Sequence, residues 1–218
     1  MSERTWRWPD LLKATRGRTE TDSPPESVTG ISTDTRALQQ GDLFVALRGE
    51  KSDGHDYLKE ARRAGASAAL VDELYARRNP DLRILPLIVV EDTLRAYGAL
   101  AHFHRSRCSA SVVAVTGSVG KSSTRQMIGD VLRTQFRVHE AEKNYNNLIG
   151  TPRTILGITP ETEIAVLENG IDRPGEMAQL ASMSEPDVGV IVSIAPCHLE
   201  RLRSIPAMLT AARANLDA

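Results

Sequence analysis

An α/β protein of two units is what this sequence predicts, and three observations carry the prediction. An apolar run, Val112-Val113-Ala114-Val115, feeds a Gly-rich loop, Thr116-Gly117-Ser118-Val119-Gly120, that ends in Lys121-Ser122-Ser123 at an expected helix start. From Ser111 onward strand-like and helix-like stretches alternate, the pattern of a parallel sheet with helices on both faces. Polar clusters fall just after the strand ends, where such sheets hold their ligands. With 218 residues, 41% of them hydrophobic, the chain can form one large or two small domains with real cores.

In order along the chain, a short opening helix is expected near Asp10 to Ala14, and Gly17 to Ser27, rich in Thr, Ser, Pro and charge, reads as a loop with little burial. Val28 to Val90 alternates short apolar runs with turn signals, with strands at Ile31 to Arg36 and Leu43 to Leu47. Tyr57, Leu58, Ala61 and Ala64 have helical spacing, and Gly65 is the stop before a strand at Ala68 to Val71. Another strand is read at Leu85 to Val90, and Asp92 can cap a helix from Thr93 to about Arg105. The domain boundary is placed just after that helix, giving domains 1–106 and 107–218. The second contains a strand at Val112 to Val115, a helix at Ser123 to Thr134, a short run at Arg137 to His139, a strand at Ile164 to Leu167, a helix at Gly175 to Met183, a strand at Val188 to Ile194 and a helical stretch at Ala207 to Leu216.

Composition narrows the function classes. A formal net charge of -1 gives no electrostatic reason to expect nucleic acid or an anionic membrane surface as partner. No apolar run has the length of a membrane span or the form of a signal peptide. The two cysteines, Cys108 and Cys197, form no C-x-x-C pair and fit packing positions in a reducing compartment, so cytoplasm is expected.

The loop is the sharpest chemical signal. Backbone N–H groups at a helix start favour phosphate, Lys121 adds a mobile cation, and the Ser122 hydroxyl is placed to touch a phosphate-bound Mg²⁺. The usual G-x-x-x-x-G-K-[ST] pattern would put glycine at Val115, so this is a variant phosphate loop; the bland alternative is a βα turn with a chance lysine. Three further clusters follow strand ends: Asn144-Tyr145-Asn146-Asn147, Glu168-Asn169-Gly170 and Cys197-His198-Leu199-Glu200. Glu168 reads either as a metal ligand or as a carboxylate bonding nearby backbone N–H groups, and His198 as a ligand or a solvent-facing side chain. The asparagines could simply shape a turn. Thr33 to Arg36 could be a capped turn with a surface arginine, and His55 reads as a loop-shaping hydrogen bonder.

In their order these clusters resemble the Mur ligase family, ATP-dependent amide-forming enzymes of peptidoglycan precursor synthesis, and most closely its D-alanyl-D-alanine-adding members. The first part resembles the UDP-sugar-binding domain through Ser32-Thr33-Asp34-Thr35-Arg36, Gly41-Asp42-Leu43-Phe44-Val45-Ala46-Leu47-Arg48-Gly49 and Asp53-Gly54-His55-Asp56-Tyr57. The later part resembles the first portion of the central ATPase domain through Thr116-Gly117-x-x-Gly120-Lys121-Ser122, Asn144-x-Asn146-Asn147-x-Ile149-Gly150-x-Pro152, Glu168-x-Gly170 with Pro174-Gly175-Glu176, and His198-Leu199-Glu200. The resemblance implies ATP and Mg²⁺ as cofactors. It implies Lys121, Glu168 and His198 in catalysis, Thr116, Gly117, Ser118, Val119, Gly120, Lys121, Ser122 and Ser123 around the nucleotide, and Ser122, Glu168 and His198 on the metal. Ser32, Thr33, Arg36, Asn144, Asn146 and Asn147 would border a UDP-linked muramoyl-peptide-like substrate.

The chain departs from the family in places. Arg213 lies where many members carry a lysine that becomes carbamylated, Leu148 stands in place of an acidic residue, and Asn169 and Asp172 replace other common types. The family also continues beyond the equivalent of Ala218, so a ligase reading expects a complementing C-terminal part. A non-catalytic module that binds nucleotide and UDP-sugar, and a stand-alone nucleotide hydrolase or kinase, are the other readings.

Overall fold

The computed structural model describes residues 5–49, 52–80, 84–141, 145–170, 173 and 175–195. Asn144, Asp172, Pro174, Cys197, His198, Leu199, Glu200, Arg213 and the expected helix at Ala207 to Leu216 lie outside them. The chain groups into two compact units, Met1–Leu100 and Ala101–Ala218.

In the first unit β1 (Trp6–Arg7) leads into α1 (Trp8–Thr15), followed by β2 (Arg18–Glu20), β3 (Ser27–Val28), β4 (Ile31–Ser32) and β5 (Leu43–Val45). A 3₁₀ turn at Gly54–Tyr57 runs into α2 (Leu58–Arg63), followed by β6 (Ala68–Asp72), α3 (Glu73–Arg78), β7 (Leu87–Val90) and α4 (Thr93–Arg105), whose residues from Ala101 on fall in the second unit. The sheet is five-stranded, β2-β7-β6-β5-β4, with β4 to β7 parallel and β2 an antiparallel edge; β1 and β3 form a separate antiparallel ribbon. Leu43, Phe44 and Val45 of β5 and all of β6 and β7 are buried, which is why these strands read as continuous apolar runs.

Four expectations change here, the first being that the strand expected at Ile31 to Arg36 ends at Ser32, after which Asp34 turns the chain, its carbonyl accepting from Ala37 N at 3.1 Å. The opening helix starts at Trp8 because Pro9 suits its first turn, and it ends at Arg16 in the left-handed region, φ 53°. The stretch from Gly17 to Ser27 is not all loop, since Arg18, Thr19 and Glu20 pair with Val89, Ile88 and Leu87. Backbone bonds make that edge strand while its side chains stay polar, so no apolar alternation announces it. The helix α3 is an addition, started by Asp72, whose Oδ1 accepts the Tyr75 N–H at 2.7 Å. The expected Asp92 cap is present: its Oδ1 accepts from Leu94 N at 2.8 Å and Arg95 N at 3.0 Å.

The second unit runs β8 (Ser111–Thr116), α5 (Lys121–Leu132), β9 (Val138–Glu140), α6 (Gly150–Leu156), β10 (Ile164–Glu168), α7 (Glu176–Ser184) and β11 (Val188–Ile191). Its four described strands, ordered β11-β8-β10-β9, are all parallel, as the alternation predicts. The sequence reading left α6 without a location; it is short, with Pro152 in its first turn and Gly157 as its C-cap. Val112, Ala165, Leu167, Ile155, Ile158 and Leu180 form the buried core, each large side chain contributing about 2 kcal/mol of burial. β11 stops at Ile191 rather than Ile194, because the next residues turn to bond the phosphate loop.

Candidate functional site

β8 delivers the loop at the carboxyl edge of the sheet. Thr116 is fully buried and its Oγ1 donates to the Asn169 carbonyl at 2.8 Å, fixing the strand end against the end of β10. Gly117 then adopts φ 139°, and a Cβ there would lie 2.9 Å from the backbone N and O of Ser193, so glycine is required both for conformation and for close approach. Two serines lock the loop to the segment after β11. Ser118 Oγ donates to Ala195 O and accepts from Ala195 N, both at 2.9 Å; Ser193 Oγ accepts from Val119 N at 3.0 Å and donates to Val119 O at 2.9 Å. Ser118 N donates to Ser193 O at 2.9 Å.

These bonds divide the predicted nucleotide residues into two groups. Ser118 and Val119 use their polar groups on 193–195, whereas the amides of Lys121, Ser122 and Ser123 precede the first intrahelical bond, Thr124 N to Gly120 O at 2.9 Å. Those amides have no acceptor within the helix and sit at the positive end of the α5 dipole. Gly120 caps the helix at φ 87°. Lys121 folds back, donating from Nζ to the Gly117 carbonyl at 2.8 Å, so its ammonium hangs over the loop. Ser193 has no local motif; its loop partner Val119 lies 74 positions away, and sequence reading missed it.

Glu168 ends β10, beside β8 in the sheet, with Glu168 paired to Val115. It is 2% exposed, and Asn146 Nδ2 donates to its Oε1 at 2.9 Å. Its Oε2 is buried without a hydrogen-bond partner among the described residues, and the nearest cation, Arg125 Nε, is 3.7 Å away. Among the described residues the carboxylate is bonded by a side-chain amide and by no backbone N–H. Asn147 shapes the turn: its Oδ1 accepts from Ile149 N at 3.1 Å and Gly150 N at 2.9 Å. Among the described residues no three His, Cys, Asp or Glu side chains converge. An open carboxylate oxygen and the half-buried Ser122 at the loop suit a hard divalent cation that takes its other oxygens from water and phosphate, so these residues fit Mg²⁺.

The first-unit candidates are held locally. Ser32 Oγ accepts from Asp34 N at 3.2 Å and donates to Asp34 O at 3.0 Å, and the Arg36 side chain, 87% exposed, forks onto Asp34 at 2.9 and 2.7 Å. His55 is buried as expected of a loop shaper: its Nδ1 meets Asp53 Oδ1 at 2.5 Å and its Nε2 accepts from Asp72 N at 3.1 Å. Arg48 bonds Asp72 at 2.7 Å and pairs with Asp53, closing the turn. Burial pushes the Asp53 and Asp72 carboxyls up, but hydrogen bonds outweigh it and hold both below the usual carboxylate range, from His55 on Asp53 and from Arg48 and the Tyr75 N–H on Asp72. Among the described residues no helix is long and apolar enough to cross a membrane.

Known proteins resemble this chain along most of its length. Residues 27–105 match the profile of the Mur ligase family, catalytic domain, and residues 115–215 that of the Mur ligase middle domain. The chain is 41% identical over 177 residues to the UDP-N-acetylmuramoyl-tripeptide--D-alanyl-D-alanine ligase of Bacillus subtilis (strain 168), covering 81% of this chain and 38% of that protein. It is 40% identical over 179 residues to the enzyme of the same name from Escherichia coli (strain K12), covering 82% and 38%. A crystal structure of MurF from Acinetobacter baumannii superposes with a TM-score of 0.89 at 29% identity, over 100% of this chain and 47% of that one. MurF ligase from Thermotoga maritima in complex with ADP gives 0.76 at 30% identity, over 85% and 42%. The chain spans less than half the length of these relatives.

Proposed function

The chain belongs to the Mur ligase family, and from that premise we propose that it serves ATP-dependent amide formation in peptidoglycan precursor synthesis, in the cytoplasm. In this reading residues 107–218 bind ATP with Mg²⁺, and residues 1–106 bind a UDP-muramoyl-peptide-like substrate. Turnover is assigned to the chain together with a complementing C-terminal part, since its relatives are more than twice as long. The observation that carries the proposal is the phosphate loop: three helix-start amides without helical partners, with a lysine ammonium folded over the loop beside them.

In such a reaction ATP phosphorylates a substrate carboxylate, releasing ADP, and an incoming amine displaces phosphate from the acyl phosphate to leave an amide. Lys121 leaves the Gly117 carbonyl to contact the β- and γ-phosphates, where it offsets charge that grows as the γ-phosphoryl group moves. The amides of Lys121 to Ser123 orient the phosphate chain. Ser122 and Glu168, with His198, would hold Mg²⁺, which when bound neutralises phosphate charge. Asn146 keeps Glu168 aimed by holding its other oxygen. The Ser32 to Arg36 turn offers hydroxyl and guanidinium groups to diphosphate and sugar oxygens, Arg36 exchanging its Asp34 contact for the ligand.

Calorimetric titration with ADP and Mg²⁺ tests the reading. Wild type binds, and Lys121→Ala weakens binding about a hundredfold. Absence of wild-type binding, or binding indifferent to Lys121→Ala, overturns it. With a complementing C-terminal half, ATP-dependent joining of UDP-N-acetylmuramoyl-tripeptide to D-alanyl-D-alanine is the expected activity; binding without turnover in that mixture would favour a non-catalytic module instead.

A further inference from the structure

α5 carries Arg125 and Gly129 and is followed by its C-cap Arg133, the three at one-turn spacing, and together they receive a single carboxylate from β9. Gly129 is buried, and a Cβ there would collide with the Glu140 carboxylate, so this glycine lets Glu140 lie against the helix. The Glu140 side chain is 8% exposed; its Oε2 accepts from Arg125 Nη1 at 2.6 Å and its Oε1 accepts from Arg133. The same Arg125 nitrogen donates to Ala141 O at 3.1 Å.

Anchored at that end, the guanidinium turns its Nε toward Glu168 Oε2 but stops at 3.7 Å. Both atoms are buried and neither has a hydrogen-bond partner among the described residues. Two desolvated, opposite charges gain strongly by closing to hydrogen-bond distance, so a restraint must hold them apart. The bonds from Arg125 to Glu140 and Ala141 supply it. We infer that Glu140, with Gly129 making room for it, is a positioning residue of the cation site: it tethers Arg125 so that Glu168 keeps one oxygen open to a divalent cation. This rests on the nucleotide and cation reading above. It adds that a carboxylate on a neighbouring strand, outside the phosphate loop, sets how well that cation is held.

Uptake of Mn²⁺ with ADP by the purified chain, followed by the electron paramagnetic resonance of free Mn²⁺, tests this. Glu140→Gln and Gly129→Ala should each raise the Mn²⁺ dissociation constant about tenfold, because both release Arg125 onto Glu168. Adding Arg125→Met to Glu140→Gln should remove that loss, and cation-free ADP affinity should stay at the wild-type value throughout. Gly129→Ala improves helix propensity, so it decides the matter if Glu140→Gln folds poorly. Unchanged Mn²⁺ affinity in the single variants, a loss that persists in the double variant, or an equal fall in cation-free ADP affinity overturns the inference. Wild type that takes up neither ADP nor Mn²⁺ overturns the nucleotide reading, and this inference with it.

Discussion

His55 sits between two aspartates at 3% exposure, with the Tyr75 ring stacked on it at 4.9 Å. Because Asp72 N donates to its Nε2, the hydrogen of the neutral ring belongs on Nδ1, facing Asp53. The residue therefore shapes a turn, as its place in Asp53-Gly54-His55 led us to expect. Acid sensitivity follows from its partners. Asp53 and Asp72 both have folded-state pKa values below the ordinary aspartate value, about 3.9. A depressed carboxyl contributes stability that is present above the unfolded value and is lost as pH falls through the folded one. Urea denaturation of the first unit should thus hold steady from pH 7 to about 5 and weaken below about 4, with Asp53→Asn and Asp72→Asn flattening that fall. An equal acid slope in the variants would show that these carboxyls are not its source. Residues whose partners adjoin them in sequence, such as Lys121 with Gly117 and Asn147 with Ile149, were legible. Ser193, Arg125 and Glu140 were not, because what each does depends on chain 15 or more positions away.

Among the elements, the phosphate loop is the most constrained connection. Its glycines are spaced for backbone fit: Gly117 at φ 139° faces Ser193, and Gly120 at φ 87° starts α5. Gly117→Ala would impose a disfavoured backbone and a clash with main-chain atoms that cannot swing aside, and should cost about 1 to 3 kcal/mol in chemical denaturation together with nucleotide binding. Wild-type stability for that variant would mean the loop can relax away from residues 192–195. Strong periodic elements such as α4 and the buried strands β6, β7 and β10 could be read from sequence, since burial writes itself as apolar runs. β2, α3 and α6 could not, being short and polar or held by backbone and caps.

For the whole molecule, the two units offer separate reporters. The only two tryptophans, Trp6 and Trp8, are both buried in the first unit, whereas the proposed nucleotide site lies in the second. Mn²⁺ with ADP at about 100 times its dissociation constant adds about 2.7 kcal/mol to whatever binds it. The calorimetric transition of the second unit should rise accordingly while the tryptophan-fluorescence transition stays in place; movement of both would show that the units unfold as one. The strand order has a last consequence, in time rather than in energy. The first unit owns all its strands once Val90 has been made, but β8, the strand that carries the phosphate loop, finds its partners only in β10 and β11, through Ser111 with Ile164 and Val113 with Val188. During synthesis the strand partners of β8 and the 193–195 segment that bonds the loop are all made after it, so nucleotide binding is expected only once chain past Ala195 has been released.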